Sequence, residues 1–170
     1  AGVPLRVLEE KLKTGSIVRF MPNIAAKCKS AVTAVALGST VKDEALPLSI
    51  ASSFGSAFIL PENLFPAFIG ISGSAIAYVF EFIHYLALGG VKEGIPYTQS
   101  AEIAKDTLTS AIKLMEESGK GAIDLETMVC SAAGTTIEGV EALSEGAFGF
   151  TVMKAAERAA AKSRELEKNA

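Results

Sequence analysis

The pattern of hydrophobic and polar positions changes after about a third of the chain. Through residue 60, apolar residues at helical spacing alternate with short β-branched or aromatic runs, which is the order of an α/β domain. A first helix should start with Pro4 and stop at Gly15, because proline suits the first turn of a helix and glycine its end. The pattern predicts strands at residues 16–21, 31–37 and 57–60, and a helix at 40–53 that contains Pro47.

From residue 61 onward, strand signals give way to helical spacing that continues to the end of the chain. Ser72-Gly73-Ser74 should interrupt a helix, and Gly89-Gly90 should end one. The sequence therefore predicts the end of an α/β domain in residues 1–60, followed by an all-helical domain in residues 61–170. The predicted helices of that second domain cover residues 63–71, 75–88, 97–118, 123–129, 135–146 and 150–166.

An unusually apolar run occupies residues 67–80 and resumes at Phe82. It is shorter than the roughly 20 residues that cross a bilayer, and Glu81 and His84 would lie inside any longer span. A helix buried on nearly all sides explains the run better, although a chain of 170 residues has few places to hide one. We therefore expect a second copy of the chain to cover it, with a membrane-associated bundle at residues 67–88 as the weaker alternative.

Charge and cysteine usage narrow the classes of partner. A net charge of −3, with no long basic run, argues against a nucleic-acid-binding surface. Cys28 and Cys130 lie far apart and His84 is the single histidine, so the sequence predicts no metal site, and free thiols suit a reducing, cytoplasmic location. The sequence contains no pattern of a catalytic triad, P-loop or glycine-rich dinucleotide motif, so no catalytic residue is assigned.

The stretch from Met128 to Gly139 contains the best candidate for binding chemistry. Its small residues leave backbone amides accessible, and Thr135 with Glu138 three positions later has the spacing of a capping box that opens a helix. The first amides of a helix have no partner inside it, and the helix dipole adds positive charge there, so a carboxylate or phosphate is stabilised at such a position. An ordinary capped turn that binds nothing is the alternative.

Four motifs, in order along the chain, resemble those of the pyrroline-5-carboxylate reductase family. They are Arg19-Phe20-Met21-Pro22-Asn23, Ile71-Ser72-Gly73-Ser74 followed by Ala77-Tyr78-Val79-Phe80, Gly89-Gly90-Val91-Lys92-Glu93-Gly94-Ile95-Pro96, and the stretch from Met128 to Gly139. The closing Ser163-Arg164-Glu165-Leu166 also fits. The resemblance covers essentially the whole chain. It implies C-terminal strands of a Rossmann-like α/β domain in residues 1–60, followed by an all-α helical-bundle dimerisation and substrate-binding domain in residues 61–170.

The resemblance also implies an activity and a set of partners. The family uses NADPH or NADH to reduce the C=N bond of 1-pyrroline-5-carboxylate to L-proline, in proline biosynthesis. Its members form homodimers and larger rings, and no contact with nucleic acid or membrane is implied. The family's glycine-rich cofactor fingerprint precedes the motifs found here, so the present chain alone should not bind NAD(P)H well and should be inactive by itself.

Site residues follow from the same resemblance, residue by residue. The carboxylate of the imino or amino acid is expected to be held, at a dimer interface, by Ser131, Gly134, Thr135 and Thr136. The residues expected to touch the cofactor are Ala1, Gly2, Met21 and Asn23.

At several positions the chain departs from the pattern of the resembled family. The family usually has Thr-Pro, Gly-Pro and Pro-Gly, and Glu at the start of a Glu-His-Pro motif, where this chain has Ile24-Ala25, Ala75-Ile76, Ala132-Ala133 and Lys120, respectively. Added methyl groups at Ala75 and Ala133 should narrow a loop that must approach a small ligand closely, which bears on substrate preference. The alternative function is a divergent or truncated paralogue that acts as a non-catalytic dimerisation module.

Overall fold

A computed structural model describes residues 2–168 of the chain. Within these residues the fold is a small sheet with connecting helices, followed by a long series of helices, which confirms the predicted class. The elements are α1 (Leu5–Leu12), β1 (Val18–Pro22), β2 (Ala31–Leu37), α2 (Ala45–Ser52), β3 (Gly55–Ile59), α3 (Phe65–Phe68), α4 (Ala75–Lys92), α5 (Tyr97–Ser118), α6 (Ala122–Val129), α7 (Thr135–Glu145) and α8 (Phe148–Lys168). Short 3-10 turns cover Ile24–Cys28 and Glu62–Leu64, and a π-helical turn covers Ile69–Gly73.

The sheet has the strand order β1-β2-β3, with β1 antiparallel and β3 parallel to the central strand. Val35 of β2 lies opposite Phe20 on one side and Ile59 on the other. Helix α2 provides the crossover that a parallel pair requires. The central strand is the most buried of the three because it is covered on both edges and packs against the helices: its Ala34 and Val35 have no exposed surface.

The core beside the sheet brings together residues of α1, β2 and α3. It consists of Leu5, Ala34, Ala36, Phe65 and Phe68. Phe65 is fully buried, and burying one such side chain stabilises a fold by about 1.5–3 kcal/mol. The first turn of α3 is therefore anchored in the same core as α1 and β2.

Arg19 is the most buried cation of this region and holds four chain segments together. Its side chain on β1 is 7% exposed, with Nη1 2.7 Å from Glu62 Oε1 and Nη2 3.0 Å from Glu167 Oε1. The guanidinium lies 4.8 Å from the centre of the Phe65 ring, which adds a cation–π contact. Glu62 Oε1 also accepts a hydrogen bond from Leu5 N at 2.7 Å. The cluster thus connects the starts of α1 and α3 and the end of α8 to β1.

The described chain divides into two compact units. One comprises the described residues up to Ala77 together with those from Val152 onward, and the other is Tyr78–Thr151. The sheet and the core around Phe65 belong to the first unit. The predicted boundary after residue 60 concerns the domains of the family and stays a prediction.

A continuous helical segment runs from Glu62 through α3, the π-helical turn and α4 to Lys92. By length and composition alone it is long and apolar enough to cross a membrane, with 22% of its most apolar 18-residue window buried. A helix that a second protein copy covers satisfies the same two criteria.

The predicted end of α4 at Gly89-Gly90 is wrong, because the helix continues to Lys92. Gly90 serves close packing instead: a Cβ on it would lie 2.1 Å from Ser100 Oγ, which donates a 2.7 Å hydrogen bond to the Ala87 carbonyl. The helix ends only before Gly94, whose φ of +95° favours glycine.

Three helix starts also differ from the predictions. Pro4 precedes α1 as its cap, because its ψ of 157° is extended rather than helical. Helix α2 begins at Ala45 rather than at residue 40, because Pro47 lacks an amide hydrogen and fits only the first turn. Helix α8 begins two residues earlier than predicted, directly after Ala147, whose φ of +53° ends the preceding turn.

Candidate functional site: a turn at the start of α7

The four residues predicted to hold a carboxylate lie together in one turn and the helix that follows it. Helix α6 ends at Val129, and the amide of Gly134 donates to the carbonyl of Ser131 at 3.0 Å, which closes a tight turn. Gly134 packs closely on this turn, since a Cβ there would meet Ser131 Oγ and lie 3.1 Å from the Ser131 carbonyl oxygen. Ala133 takes the left-handed conformation, with φ +55°, that this turn imposes on its third residue.

The predicted capping box is wrong in its register. Gly134, with φ −84° and ψ 167°, is the cap of α7, and Thr135 is already its first helical residue. The closed turn explains the shift, because it places the extended backbone conformation of a cap at Gly134 rather than at Thr135. Glu138 therefore lies in the first turn of α7 without the geometry of a capping box.

The start of α7 has the features that suit a small anion. Gly134 has no side chain to satisfy the first amides of this 11-residue helix, which leaves them to solvent or a ligand. Hydroxyl groups border these amides, exposed on Ser131 and Thr135 and half-buried on Thr136. A carboxylate at this position would accept hydrogen bonds from the backbone and from hydroxyl groups.

The residues predicted to touch the cofactor lie in different surroundings. The side chain of Met21 packs against the core around Phe65. Asn23 is 6% exposed and its side-chain amide is bonded inside the protein. Gly2 has a φ of +91°, which favours glycine. Ala1 lies outside the described residues.

The Asn23 side chain is bonded inside the protein and the Met21 side chain is half-buried against the core, and the contact of either residue with a cofactor stays a prediction. Ile24 beside them is 62% exposed.

Two residues at this edge of the sheet make buried polar contacts that the sequence did not predict. Arg19 forms the buried ion cluster, and Ser72 contacts Asn23. The signal for Arg19 was a charged residue inside a strand of otherwise apolar character. Ser72 stands between Gly70 and Gly73, where small residues permit the close helix packing that buries a polar group.

Comparisons with known proteins agree over the whole chain. The family model for pyrroline-5-carboxylate reductase dimerisation matches residues 62–166. A pyrroline-5-carboxylate reductase of Methanosarcina acetivorans is 40% identical over 171 residues, covering 99% of this chain and 63% of the relative. Pyrroline-5-carboxylate reductase 3 of Danio rerio is 36% identical, covering 98% and 59%. The chain thus spans about three fifths of the length of these two curated relatives.

Solved structures give the same result. A pyrroline-5-carboxylate reductase from Coxiella burnetii superposes with a TM-score of 0.93 at 25% identity, over 98% of this chain and 63% of that one. The Plasmodium falciparum pyrroline carboxylate reductase, solved with NADP bound, has a TM-score of 0.88 at 28% identity, over 98% and 68%. Sequence and fold together show that the chain belongs to the pyrroline-5-carboxylate reductase family.

Proposed function

We propose that the full-length protein is an NAD(P)H-dependent reductase that converts 1-pyrroline-5-carboxylate to L-proline. The observation that carries the proposal is the 40% identity to a named reductase along 99% of the chain, with the turn at the start of α7 included. The fold neighbour from Plasmodium falciparum was solved with NADP, which supports a nicotinamide cofactor. The chain matches about three fifths of each curated relative, so the assay requires the full-length protein.

The turn Ser131–Gly134 and the first residues of α7 are proposed to bind the substrate carboxylate. Backbone amides at a helix start and a threonine hydroxyl are donors, and a carboxylate only accepts hydrogen bonds. This binding would orient the ring so that its C=N carbon faces the nicotinamide.

The chemistry proposed for the site needs little from protein side chains. The cofactor supplies the hydride to the C=N carbon, and the ring nitrogen takes a proton. The role of this chain is to hold the carboxylate and fix the ring orientation, which explains why no triad of catalytic side chains is needed. NADPH and NADH both suit this step.

Homodimers, with larger rings as a further possibility, are part of the proposal. Phe80 on α4 and Ile123 on α6 are 65% and 80% exposed, and a second copy would cover such residues. The same covering would keep the apolar segment Glu62–Lys92 in a cytoplasmic protein rather than in a membrane. Purification without detergent as a dimer or larger ring is the expected result, and extraction only with detergent would contradict it.

The test of the activity is oxidation of NADPH or NADH by the full-length protein with 1-pyrroline-5-carboxylate. We expect the absorbance of the reduced cofactor to fall only when the substrate is present. Proline should form as the product. A stable dimer without turnover on either cofactor would contradict the proposal and support a non-catalytic dimerisation module instead.

The test of the site is Thr136→Val, which removes a hydroxyl and keeps the volume of the side chain. Loss of a hydrogen bond to a charged group should weaken proline binding by about 1–3 kcal/mol. Isothermal titration of proline measures the effect. Thr109→Val is the matched control, since its exposed hydroxyl only donates to the Lys105 carbonyl. Equal proline affinity in both variants would remove Thr136 from the site.

A further inference from the structure

A cavity of about 300 Å³ lies in the first unit, where the start of α1 meets the end of α8. It is lined by Pro4, Arg6, Arg164, Glu167 and Lys168. Ligand sites in proteins commonly have volumes of about 300–1,000 Å³, so a cavity of this size suits a small ligand. None of the five residues is among those predicted to bind the substrate or the cofactor.

The lining of this cavity carries more positive than negative charge. Arg6, Arg164 and Lys168 are exposed cations, and within residues 2–168 none of the three forms an ion pair. Glu167 is the single acid of the lining, and its Oε1 already accepts a hydrogen bond from Arg19 Nη2 at 3.0 Å. Three cations without a partner in the described chain therefore surround a cavity whose acid is paired elsewhere.

The positions of these cations on their helices also favour a bound anion. Arg164 and Lys168 are four residues apart on α8, a spacing at which like charges repel. The dipole of α8 accounts for cations at its C-terminal end, but the dipole of α1 disfavours Arg6, which lies in the first turn. That turn contains no acidic residue, and Pro4 gives it no side-chain cap. A bound anion would offset both unfavourable arrangements.

The donors of the cavity match phosphate groups better than a single carboxylate. Three cations and one carboxylate give the lining a net charge of +2, which calls for a ligand with more than one negative charge. The guanidinium group of arginine presents paired N–H donors that bind two phosphate oxygens at once, and the lysine ammonium adds a third positive charge. Pro4 and the aliphatic stems of the long side chains supply the apolar part of the lining.

We propose that the cavity between α1 and α8 binds the phosphate groups of a small ligand, and that Arg6, Arg164 and Lys168 hold these groups. The inference goes beyond the proposed function and does not depend on it, because it uses only the cavity and the charges that line it. Free pyrophosphate and the phosphates of a nucleotide share this chemistry, and the test separates the two sources.

The test titrates pyrophosphate into the full-length protein by calorimetry and compares Arg164→Ala with Arg158→Ala. Arg158 is also an exposed arginine of α8 but does not line the cavity, so the control removes the same charge from the same helix. The Kd for pyrophosphate should rise about tenfold in Arg164→Ala and stay within about twofold in Arg158→Ala. Arg6→Ala should weaken binding to a similar extent from the other helix. Urea unfolding midpoints check that each variant keeps its fold.

Three results would overturn the inference. The first is a parent protein that binds no pyrophosphate up to about 10 mM. The second is equal weakening by Arg164→Ala and Arg158→Ala, because that pattern reflects net charge alone. The third is weakening by Arg164→Ala without weakening by Arg6→Ala, because the ligand would then not lie between the two helices. Two results support the site and identify its ligand: tighter binding of ATP than of pyrophosphate indicates a nucleotide, and equal binding indicates the free anion.

Discussion

The two compact units of the described chain use their apolar residues in different ways. The unit with the sheet encloses large side chains, and its Phe65 and Val35 are fully buried. In Tyr78–Thr151 the described core is made of small residues and one leucine: Ala87, Ala104 and Leu125, with Ser100. Small residues bring helices close together but bury little apolar surface. The first unit therefore stabilises itself, whereas the second depends more on an outside surface.

Large apolar side chains of Tyr78–Thr151 lie on its outside. Those with at least half of their surface exposed are Phe80, Tyr85, Ile103, Ile112, Ile123, Met128, Val129 and Phe150. Contiguous apolar surface of this kind marks an interface, and we propose that a second copy covers these residues. The family model that matches residues 62–166 describes a dimerisation domain, which supports the proposal that a second copy covers these residues.

The substitution Arg19→Ala is the strongest test of whether contacts within the first unit stabilise it. Removing this arginine leaves Glu62 and Glu167, 26% and 20% exposed, without their cation. Breaking a buried ion pair on one side typically costs about 3–5 kcal/mol, and partial exposure of both carboxylates places the expected loss near the lower figure. Urea unfolding of the full-length protein measures it.

Lys162→Ala provides the control for that experiment. Lys162 forms an ion pair with Glu165 of similar length, 2.6 Å, but both side chains are well exposed. Its loss should cost at most about 1 kcal/mol. Equal unfolding midpoints for the two variants would mean that the Arg19 cluster does not stabilise the first unit.

The dependence of the second unit on a partner is tested by Phe80→Glu. A charge at a residue that the proposed dimer covers should weaken the dimer by about 2–4 kcal/mol, or about 30- to 1,000-fold in Kd. Sedimentation equilibrium measures this constant. Leu46→Glu is the matched control, because Leu46 is also 65% exposed but lies on α2 in the first unit. Weakening by Leu46→Glu and not by Phe80→Glu would reverse the comparison between the two units.

The sequence predicted elements whose signals are local. Helix α5 covers the predicted residues 97–118 and strand β2 the predicted residues 31–37, because spacing and composition alone determine both. The turn before α7 was also located correctly, since its small residues stand next to each other in the chain. Elements of this kind need no information from distant residues.

Pro47 and the tight turn before α7 shifted two helix starts locally, but other errors and omissions arose where a distant residue decides the structure. Gly90 serves packing because Ser100, on the next helix, fills the space above it. Arg19 meets Glu62 and Glu167 across 43 and 148 positions of sequence, which no local pattern reports. In the π-helical turn, Gly70 lies directly against the Ala156 backbone of α8, 86 positions away. Tertiary contacts determined each of these features.

The substitution Ala133→Gly should have the smallest effect of those considered. It tests whether the second unit unfolds in the same transition as the first. Ala133 holds a φ of +55°, where a side chain is strained and glycine is not. Relief of this strain, less the entropy that glycine adds to the unfolded chain, should raise the free energy of unfolding by about 0.5–1 kcal/mol. Ala132→Gly is the control and should have the opposite sign, because Ala132 is not among the residues with positive φ. A gain in the urea midpoint for Ala133→Gly alone means that Tyr78–Thr151 unfolds with the sheet. No gain would mean that the second unit loses its structure separately, as a region that relies on its partner would do once the dimer dissociates.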